Sequence, residues 1–356
     1  MKVALIADPI TQAGGAEKLL WSLADKFPNA PLFTAVANPS VVPKRFSQRI
    51  KVSWVQKLPA SFSNPKPYLP LLPLAYESFD LNDFDRVISI TTLFAKAVIT
   101  KPETLHLGYI NSPPRFLYSQ SNLKRYINND LIKGLSTPIL NWLKSYDQIA
   151  TRRPDILIAN SKNIQKKIAD IYKLDSKVVY PFAQNSYFDK NLSKKIPNQF
   201  VIVSRLEKWK QLDYAIEAFN ARKDLRLIIV GVGQDFRRLK KLAKSNTSFS
   251  GWLPNSSVAE IISSSCALIM PQNEDFGITS VEAQALGTPV ISPMLGGALE
   301  TVINNQTGLF FAEQNSHSLL HALEVFNTLS FQTDKLKQNA LKYRQERFIQ
   351  QITSYL

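Results

Sequence analysis

Scarcity narrows the field first. Among 356 residues there is one cysteine, Cys266, so no disulfide can form within the chain. It stands in "CALIMP", an apolar run closed by proline, where a free thiol is expected to be a buried structural group and not a nucleophile. The three histidines, His106, His317 and His321, do not gather with acids or with the cysteine, and the i, i+4 pair lacks an HExxH signature. No metal site is expected. No apolar run approaches the ~20 residues a membrane helix needs. The start, "MKVALIADP", meets Asp8 after a short apolar run with no small-residue cleavage site, so it reads as a first strand and not a signal peptide. Together these absences point to a cytoplasmic protein without structural metal.

Acid is also in short supply: 28 Asp and Glu against 43 Lys and Arg leave a formal charge of +15. The excess is spread along the chain except at "RRLKKLAK", 237–244, where Arg237, Lys240, Lys241 and Lys244 share a helix face. A solvated face is the plain reading, and an anionic lipid surface or a phosphorylated substrate is the alternative. Nucleic acid comes last, because no interleaved aromatic and basic motif and no zinc-finger spacing is present.

What is present is alternation. The length favours two domains, and the 45% apolar share is ordinary for a globular protein. Short β-branched runs at 2–7, 86–91, 105–110 and 155–160 alternate with helical patterns; 122–150 reads as helix interrupted near Pro138, and Ser161 can cap the helix that follows it. The stretch 181–198 has proline at both ends and no periodicity, which marks a linker closing a first domain of 1–190. A second series runs through strands at 199–205, 225–231, "FSGWL", "CALIMP" and "PVISP", with helices at 211–221, 234–245, 256–264, from about 279, and 315–328. A charged helix over 334–352 ends this second domain, 199–356. Such alternation predicts an α/β protein with two doubly wound parallel sheets, Rossmann-like, facing across a cleft, with ligands at the C-terminal ends of the strands.

Three constellations carry chemistry. Gly14 and Gly15 follow the first strand and precede a helix, where backbone can approach an anion, although "GGAEKL" lacks the spacing of a dinucleotide fingerprint. "VGVGQDF", 230–236, is likewise a partial glycine match and reads as a turn. Arg205 ends a strand and Lys210 opens the next helix, so both can face the cleft, and two fixed cations suit a diphosphate whose charge grows as a bond to it breaks. In "NEDFGITSVEAQALGTPVIS", 273–292, Gly277 permits a turn, Thr279 or Ser280 can cap a helix, and two acids flank them. A carboxylate accepts two hydrogen bonds side by side, so Glu282 suits a vicinal diol such as ribose and Glu274 the hydroxyls of a second sugar. The helix start between them would take phosphate.

"SRLEKWK…LDYAIEAF", "VGVG", "EDFGITSVEAQALGTPVIS" and "GGALETV" together resemble the retaining nucleotide-sugar glycosyltransferases of family 4, which have the GT-B fold. The upstream "GYINSPPRF" and "RRPDILIANS" are similar to the bacterial branch acting in O-antigen and capsule assembly. The resemblance implies transfer of a hexose, mannose among the choices, from a nucleotide-sugar donor to a glycan or lipid-linked acceptor, without cofactor or metal. It assigns Arg205 and Lys210 to the diphosphate, Glu274 with the backbone of Phe276, Gly277, Ile278 and Thr279 to the donor sugar and phosphate, Glu282 to ribose, and Gly14 and Gly15 to the donor phosphates and acceptor. The leaving phosphate takes the acceptor's proton in such enzymes. Asn111 and Thr92 stand where the family commonly has histidine; Asn111 can hydrogen-bond a sugar but cannot become a cation. That departure keeps a non-catalytic nucleotide-sugar binder in play, with a nucleotide-sugar epimerase as a further alternative. The proline-rich 57–76 and the mixed basic and apolar 122–144, with Lys124, Arg125, Lys133 and Lys144, are read as buried in the first domain or, alternatively, as docking on an anionic bilayer at the inner face of the plasma membrane.

Overall fold

The structure, a computed structural model, describes residues 1–12, 14–118 and 130–356, with side chains from 137 onward in the last of these stretches. The chain divides into two compact units, Met1–Tyr180 with Phe348–Leu356, and Pro181–Arg347.

The first unit is built on a seven-stranded parallel sheet. Its strands are β1 (Val3–Ala7), β2 (Leu32–Thr34), β3 (Ile50–Val52), β4 (Arg86–Thr91), β5 (Leu105–Ile110), β6 (Ile156–Ala159) and β7 (Lys177–Val178), in the order β3-β2-β1-β4-β5-β6-β7. β1, β4 and β5 are apolar runs buried almost throughout, as expected of central strands covered on both faces. The helices include α1 (Gly15–Lys26), α2 (Leu72–Glu77), α3 (Asp130–Ala150) and α4 (Lys162–Tyr172). Ser161 caps α4 as expected, its Oγ accepting from Ile164 N at 3.1 Å.

The second unit has six parallel strands: β8 (Gln199–Val203), β9 (Arg226–Val230), β10 (Thr247–Gly251), β11 (Ala267–Ile269), β12 (Val290–Pro293) and β13 (Gly308–Phe311), in the order β10-β9-β8-β11-β12-β13. Its main helices are α5 (Leu212–Ala221), α6 (Phe236–Leu242), α7 (Asn255–Ser264), α8 (Ile278–Ala285), α9 (Ser316–Phe326), α10 (Thr333–Leu341) and α11 (Gln345–Thr353), the last crossing into the first unit. Phe200 of β8 packs edge-on to Phe219 of α5 and Phe326 of α9, so one strand residue ties two helices to the sheet. Each such ring is worth about 2–3 kcal/mol of burial. In both sheets the first strand in sequence lies inside the sheet, so the winding reverses between β1 and β4 and between β8 and β11. Those two reversals are where an open α/β sheet places its ligands.

Four expectations need correction. Residues 181–198 are not a free linker. Phe182, Ala183 and Tyr187 are buried, Ser193 N donates to Ser263 Oγ at 2.8 Å, and Lys195 Nζ donates to Thr288 Oγ1 at 2.7 Å, so the segment packs on the second unit. The helix expected over 334–352 is two helices, α10 and α11, and residues from Phe348 onward belong to the first unit. There the Phe348 ring meets Tyr109 at 5.7 Å and the Leu356 carbonyl accepts from Arg86 Nε at 2.8 Å. α3 runs on through Pro138, which is exposed, and Leu143 and Ala150 hold its other side in the core. Finally, β2, β3 and β13 are strands that the alternation did not mark. Of the region 122–144, residues 122–129, including Lys124 and Arg125, and the Lys133 side chain lie outside the described residues.

Candidate functional site

At the exit of β8 the backbone of Ser204–Leu206 is laced to the segment after β9: Ser204 N donates to Val230 O at 3.0 Å and Leu206 N to Val232 O at 2.9 Å. The "VGVG" glycines permit this close pass. A Cβ on Gly231, whose φ is +138°, would sit 1.9 Å from Ser204 O, and one on Gly233 would sit 2.2 Å from Leu206 O. The expected turn is there, but its glycines serve the placement of Arg205. A 3-10 turn, Lys208–Lys210, follows, and Gln211 adopts left-handed backbone at φ +52° to start α5. Lys210 thus precedes the helix, where it was expected to open it, and its side chain is turned inward.

Lys210 is buried and its ammonium forms an ion pair with Glu274, which stands beyond β11. The same ammonium lies 4.0 Å from the centroid of the Trp209 ring, and the exposed Arg205 guanidinium lies 5.9 Å from it. Both cations thus lie within reach of one electron-rich ring near the β8 exit, the ammonium closer than the guanidinium. Gln272 Nε2 donates to Glu274 Oε1 at 2.7 Å, and Gln272 Oε1 is buried without a hydrogen-bond partner among the described residues. Because β8 and β11 are neighbours at the reversal of winding, Lys210 and Glu274 meet at the ligand position of the second sheet.

The loop carrying Glu274 is fixed from behind. Gly297 N donates to Glu274 O at 2.9 Å, and a Cβ on Gly296 or Gly297 would strike Asn273 Oδ1 at 2.1 Å or Phe276 Cα at 2.3 Å. Phe276 is buried edge-on to Tyr343, with ring centroids 5.4 Å apart. Gly277, at φ +89°, is the N-cap of α8, and Ile278 and Thr279 form its first turn. Neither Thr279 nor Ser280 caps the helix; Ser280 Oγ donates instead to Thr301 Oγ1 at 3.0 Å. The first N–H groups of α8 and the positive end of its dipole therefore border the Glu274 loop. Glu282 is buried one turn further along, near Tyr187, whose hydroxyl is pushed up first by burial and then by the Glu282 charge.

Gly14, Gly15 and Asn111 belong to the first unit. Gly14 is the N-cap of α1, and its N–H is taken by Glu17 Oε2 at 2.9 Å; Gly15 begins the helix, exposed. Asn111 follows β5. Its N–H donates to Thr91 O at 2.8 Å, its carbonyl accepts from Asn160 Nδ2 at 2.8 Å, and its own Nδ2 is buried without a partner among the described residues.

One residue escaped the sequence reading. Asp8, directly after β1, accepts backbone N–H groups from Thr92, Leu93, Phe94 and Ala95 beyond β4 and so fills the reversal point of the first sheet. Burial pushes its carboxyl up from the ordinary value, against the pull of those N–H groups. The signal was an acid ending the buried run "VALIAD". Among the described residues no cluster of three His, Cys, Asp or Glu is placed to hold a metal, and Cys266 is half-buried, its Sγ donating to Ile196 O at 3.3 Å.

Two doubly wound parallel sheets, the second with a Lys210–Glu274 ion pair at its reversal beside a glycine-led helix start, define a two-unit α/β protein. Residues 183–343 match the family described as Glycosyl transferases group 1. Alpha-1,3/1,6-mannosyltransferase ALG2 of Homo sapiens is 26% identical over 72% of this chain and 67% of its own length. An uncharacterized 41.2 kDa protein in the cps region of Klebsiella pneumoniae is 24% identical over 70% of this chain and 77% of its own. Among solved structures, Anabaena HepE in complex with UDP superposes with a TM-score of 0.72 at 16% identity, covering 100% of this chain and 99% of that one. The apo lipopolysaccharide outer core galactosyltransferase WaaB gives 0.70 at 18% identity, with 100% of each chain covered. The second unit carries a glycosyl transferases group 1 domain, and the chain is a glycosyltransferase with the GT-B fold.

Proposed function

We propose that the chain moves a hexosyl group from a nucleoside-diphosphate sugar to a glycan or lipid-linked acceptor, with retention of anomeric configuration. The observation that carries this reading is the ion pair of buried Lys210 with part-buried Glu274 at the β8–β11 reversal, on the segments that also carry Arg205 and lead into α8. Arg205 and Lys210 hold the diphosphate and stabilise the charge that develops as the anomeric C–O bond breaks. Glu274 orients the Lys210 ammonium and accepts from donor-sugar hydroxyls, the N–H groups after Gly277 take phosphate, and Glu282 accepts from the ribose diol. The departing phosphate oxygen receives the acceptor hydroxyl's proton, so no protein base, metal or cofactor is invoked. Asn111, Gly14 and Gly15 serve the acceptor side.

Mannose is favoured by the name of the ALG2 relative, and a UDP donor by the ligand in the HepE structure. The cps-region relative and the lipopolysaccharide enzyme favour a bacterial surface glycan, built at the inner face of the membrane. Calorimetric titration with GDP- and UDP-hexoses is expected to show binding of one nucleotide class, with transfer on adding a lipid-linked acceptor. Lys210→Ala and Glu274→Ala are each expected to cut transfer on the order of 100- to 1000-fold with the fold intact. Turnover equal to the parent would remove that residue from the mechanism. Asn111 in place of a histidine favours a second reading, a binder that does not transfer, which donor binding without any product would establish.

A further inference from the structure

Gln272 is a side chain of this site to which transfer, as drawn above, assigns no task. It is buried on the segment between β11 and α8, two residues before Glu274. Its Nε2 donates to Glu274 Oε1 at 2.7 Å, and the Lys210 ammonium donates to the same oxygen. Its own Oε1 is buried and has no hydrogen-bond partner among the described residues. A buried carbonyl oxygen without a donor is unfavourable, and an apolar side chain would leave none. The fold thus keeps an amide whose side-chain hydrogen bond, among the described residues, goes to Glu274. Charge fixes which way that amide faces: turned over, its oxygen would meet the carboxylate.

The backbone on either side of Gln272 is held. Pro271 O accepts from Tyr214 Oη of α5 and from Gln314 Nε2 at 3.0 Å, and Gln314 Nε2 also donates to Gln211 Oε1 at 2.7 Å. Gln314 therefore joins the residue after Lys210 to the residue before Gln272. Two positions beyond Gln272, Glu274 O accepts from Gly297 N at 2.9 Å. The amide and the ammonium are set on one carboxylate oxygen by tied segments, and not by the chance rotamer of a loose loop.

These two donors differ in what a diphosphate does to them. The ammonium is drawn toward the phosphate oxygens, and more so as charge gathers on them during bond breaking. A part-buried carboxylate that its cation leaves needs another donor to stay aimed. A charge-assisted bond from the amide supplies one, and a neutral amide brings no charge to compete for the phosphate. We propose that Gln272 is a positioning residue for transfer: it holds Glu274 in place while Lys210 lends its charge to the leaving diphosphate. This rests on the transfer reading and names the group that lets the Lys210–Glu274 pair separate.

The test is steady-state transfer by the full chain, with GDP- or UDP-hexose and a lipid-linked acceptor. Gln272→Met keeps the length of the side chain and removes the donor, and kcat is expected to fall about tenfold or more. Donor titration of this variant should still saturate, which shows the second unit folded. In the Glu274→Ala background the same substitution should change transfer by less than about twofold, because the group it acts through is gone. A side chain that merely props the loop would lower transfer in both backgrounds. Gln272→Glu supplies the rescue. Protonated, its carboxyl donates to Glu274 Oε1 as the amide does; ionised, it repels Glu274 and competes for Lys210. Its transfer relative to the parent is therefore expected to rise as pH falls from about 8 to about 5. The inference is overturned if Gln272→Met transfers like the parent, if its loss is undiminished without Glu274, or if the Gln272→Glu ratio does not change with pH. A parent that transfers nothing counts against the transfer reading itself. Whether Gln272 holds Glu274 is then read from urea denaturation of the parent, the two single variants and the double variant, where additive losses overturn the coupling and a non-additive cycle supports it.

Discussion

A lysine taken out of water needs a partner, and Lys210 has two: the Glu274 carboxylate and the Trp209 ring. Lys210 is buried and Glu274 part-buried, so removing the carboxylate strands the ammonium, and Glu274→Gln is expected to cost stability as well as transfer, about 3 kcal/mol at most in urea denaturation. The sequence showed Arg205, Lys210 and Glu274 as a set, because cations after one strand and an acid after another belong on the same sheet edge. It could not show that Lys210 and Glu274 pair with each other, since that depends on β8 and β11 being neighbours. The glycines tell the same story. Gly231 was legible as a turn, yet its need comes from the Ser204 carbonyl, a long-range contact invisible in a local pattern. Gly231→Ala is expected to destabilise the second unit by about 2 kcal/mol or more, read as a lowered thermal midpoint.

His106 gives a pH prediction at the same scale. Buried against Ser89 Oγ, it is held neutral, its pKa lowered by burial and then by Arg153, from the ordinary 6.5 to about 3. Below pH 6.5 the unfolded chain takes up a proton that the folded chain refuses. Stability is therefore full above that value and falls as pH drops toward 3, with a slope approaching about 1.4 kcal/mol per pH unit. Urea midpoints for the parent and for His106→Asn should converge as pH falls through this window; parallel curves would mean that another group controls acid unfolding.

Among elements, the strongly periodic ones were the legible ones. β1, β4, β5 and β8 declare themselves as apolar runs, and α4 by its Ser161 cap. β2, β3 and β13 are three or four residues long, and each is a strand because a neighbour offers a ladder, so nothing local marks it. The α8 start misled in another way. Two side chains suited to capping follow Gly277, but the backbone turns at the glycine itself and leaves Ser280 to bind Thr301. α3 depends on the Lys96–Asp147 clasp, which is buried and shared with the Tyr118 and Tyr172 hydroxyls. Lys96→Met leaves the aspartate charge uncompensated and is expected to cost about 3–5 kcal/mol, with hydrogen exchange rising first along α3 and the Ala95–Ala97 turn. Equal exchange in the two proteins would show the clasp to be dispensable.

Across the whole molecule, the alternation of strands and helices was enough to forecast two doubly wound sheets, because apolar strand runs separated by helices leave few other solutions. The path of the chain was not legible. Phe348 fits the first unit because its ring finds Tyr109, and no periodicity in 334–352 announces so distant a partner. Phe348→Ala is expected to cost about 3–5 kcal/mol in the first unit alone. Hydrogen exchange should then rise along β5 while β8 to β13 stay protected; loosening of β8 with β5 would show that the two units unfold together. Both sheets also place a carboxylate at the reversal of winding, but to different ends. Asp8 is spent on four backbone amides of its own fold, whereas Glu274 holds a side-chain cation.

The returning segment has a consequence for biosynthesis. Residues 348–356 leave the ribosome after all of 181–347, so the nascent chain can complete its second sheet while the first still lacks Phe348 over Tyr109. The half translated earlier is thus the half that matures later, and in the interval chaperones would meet its uncovered Tyr109.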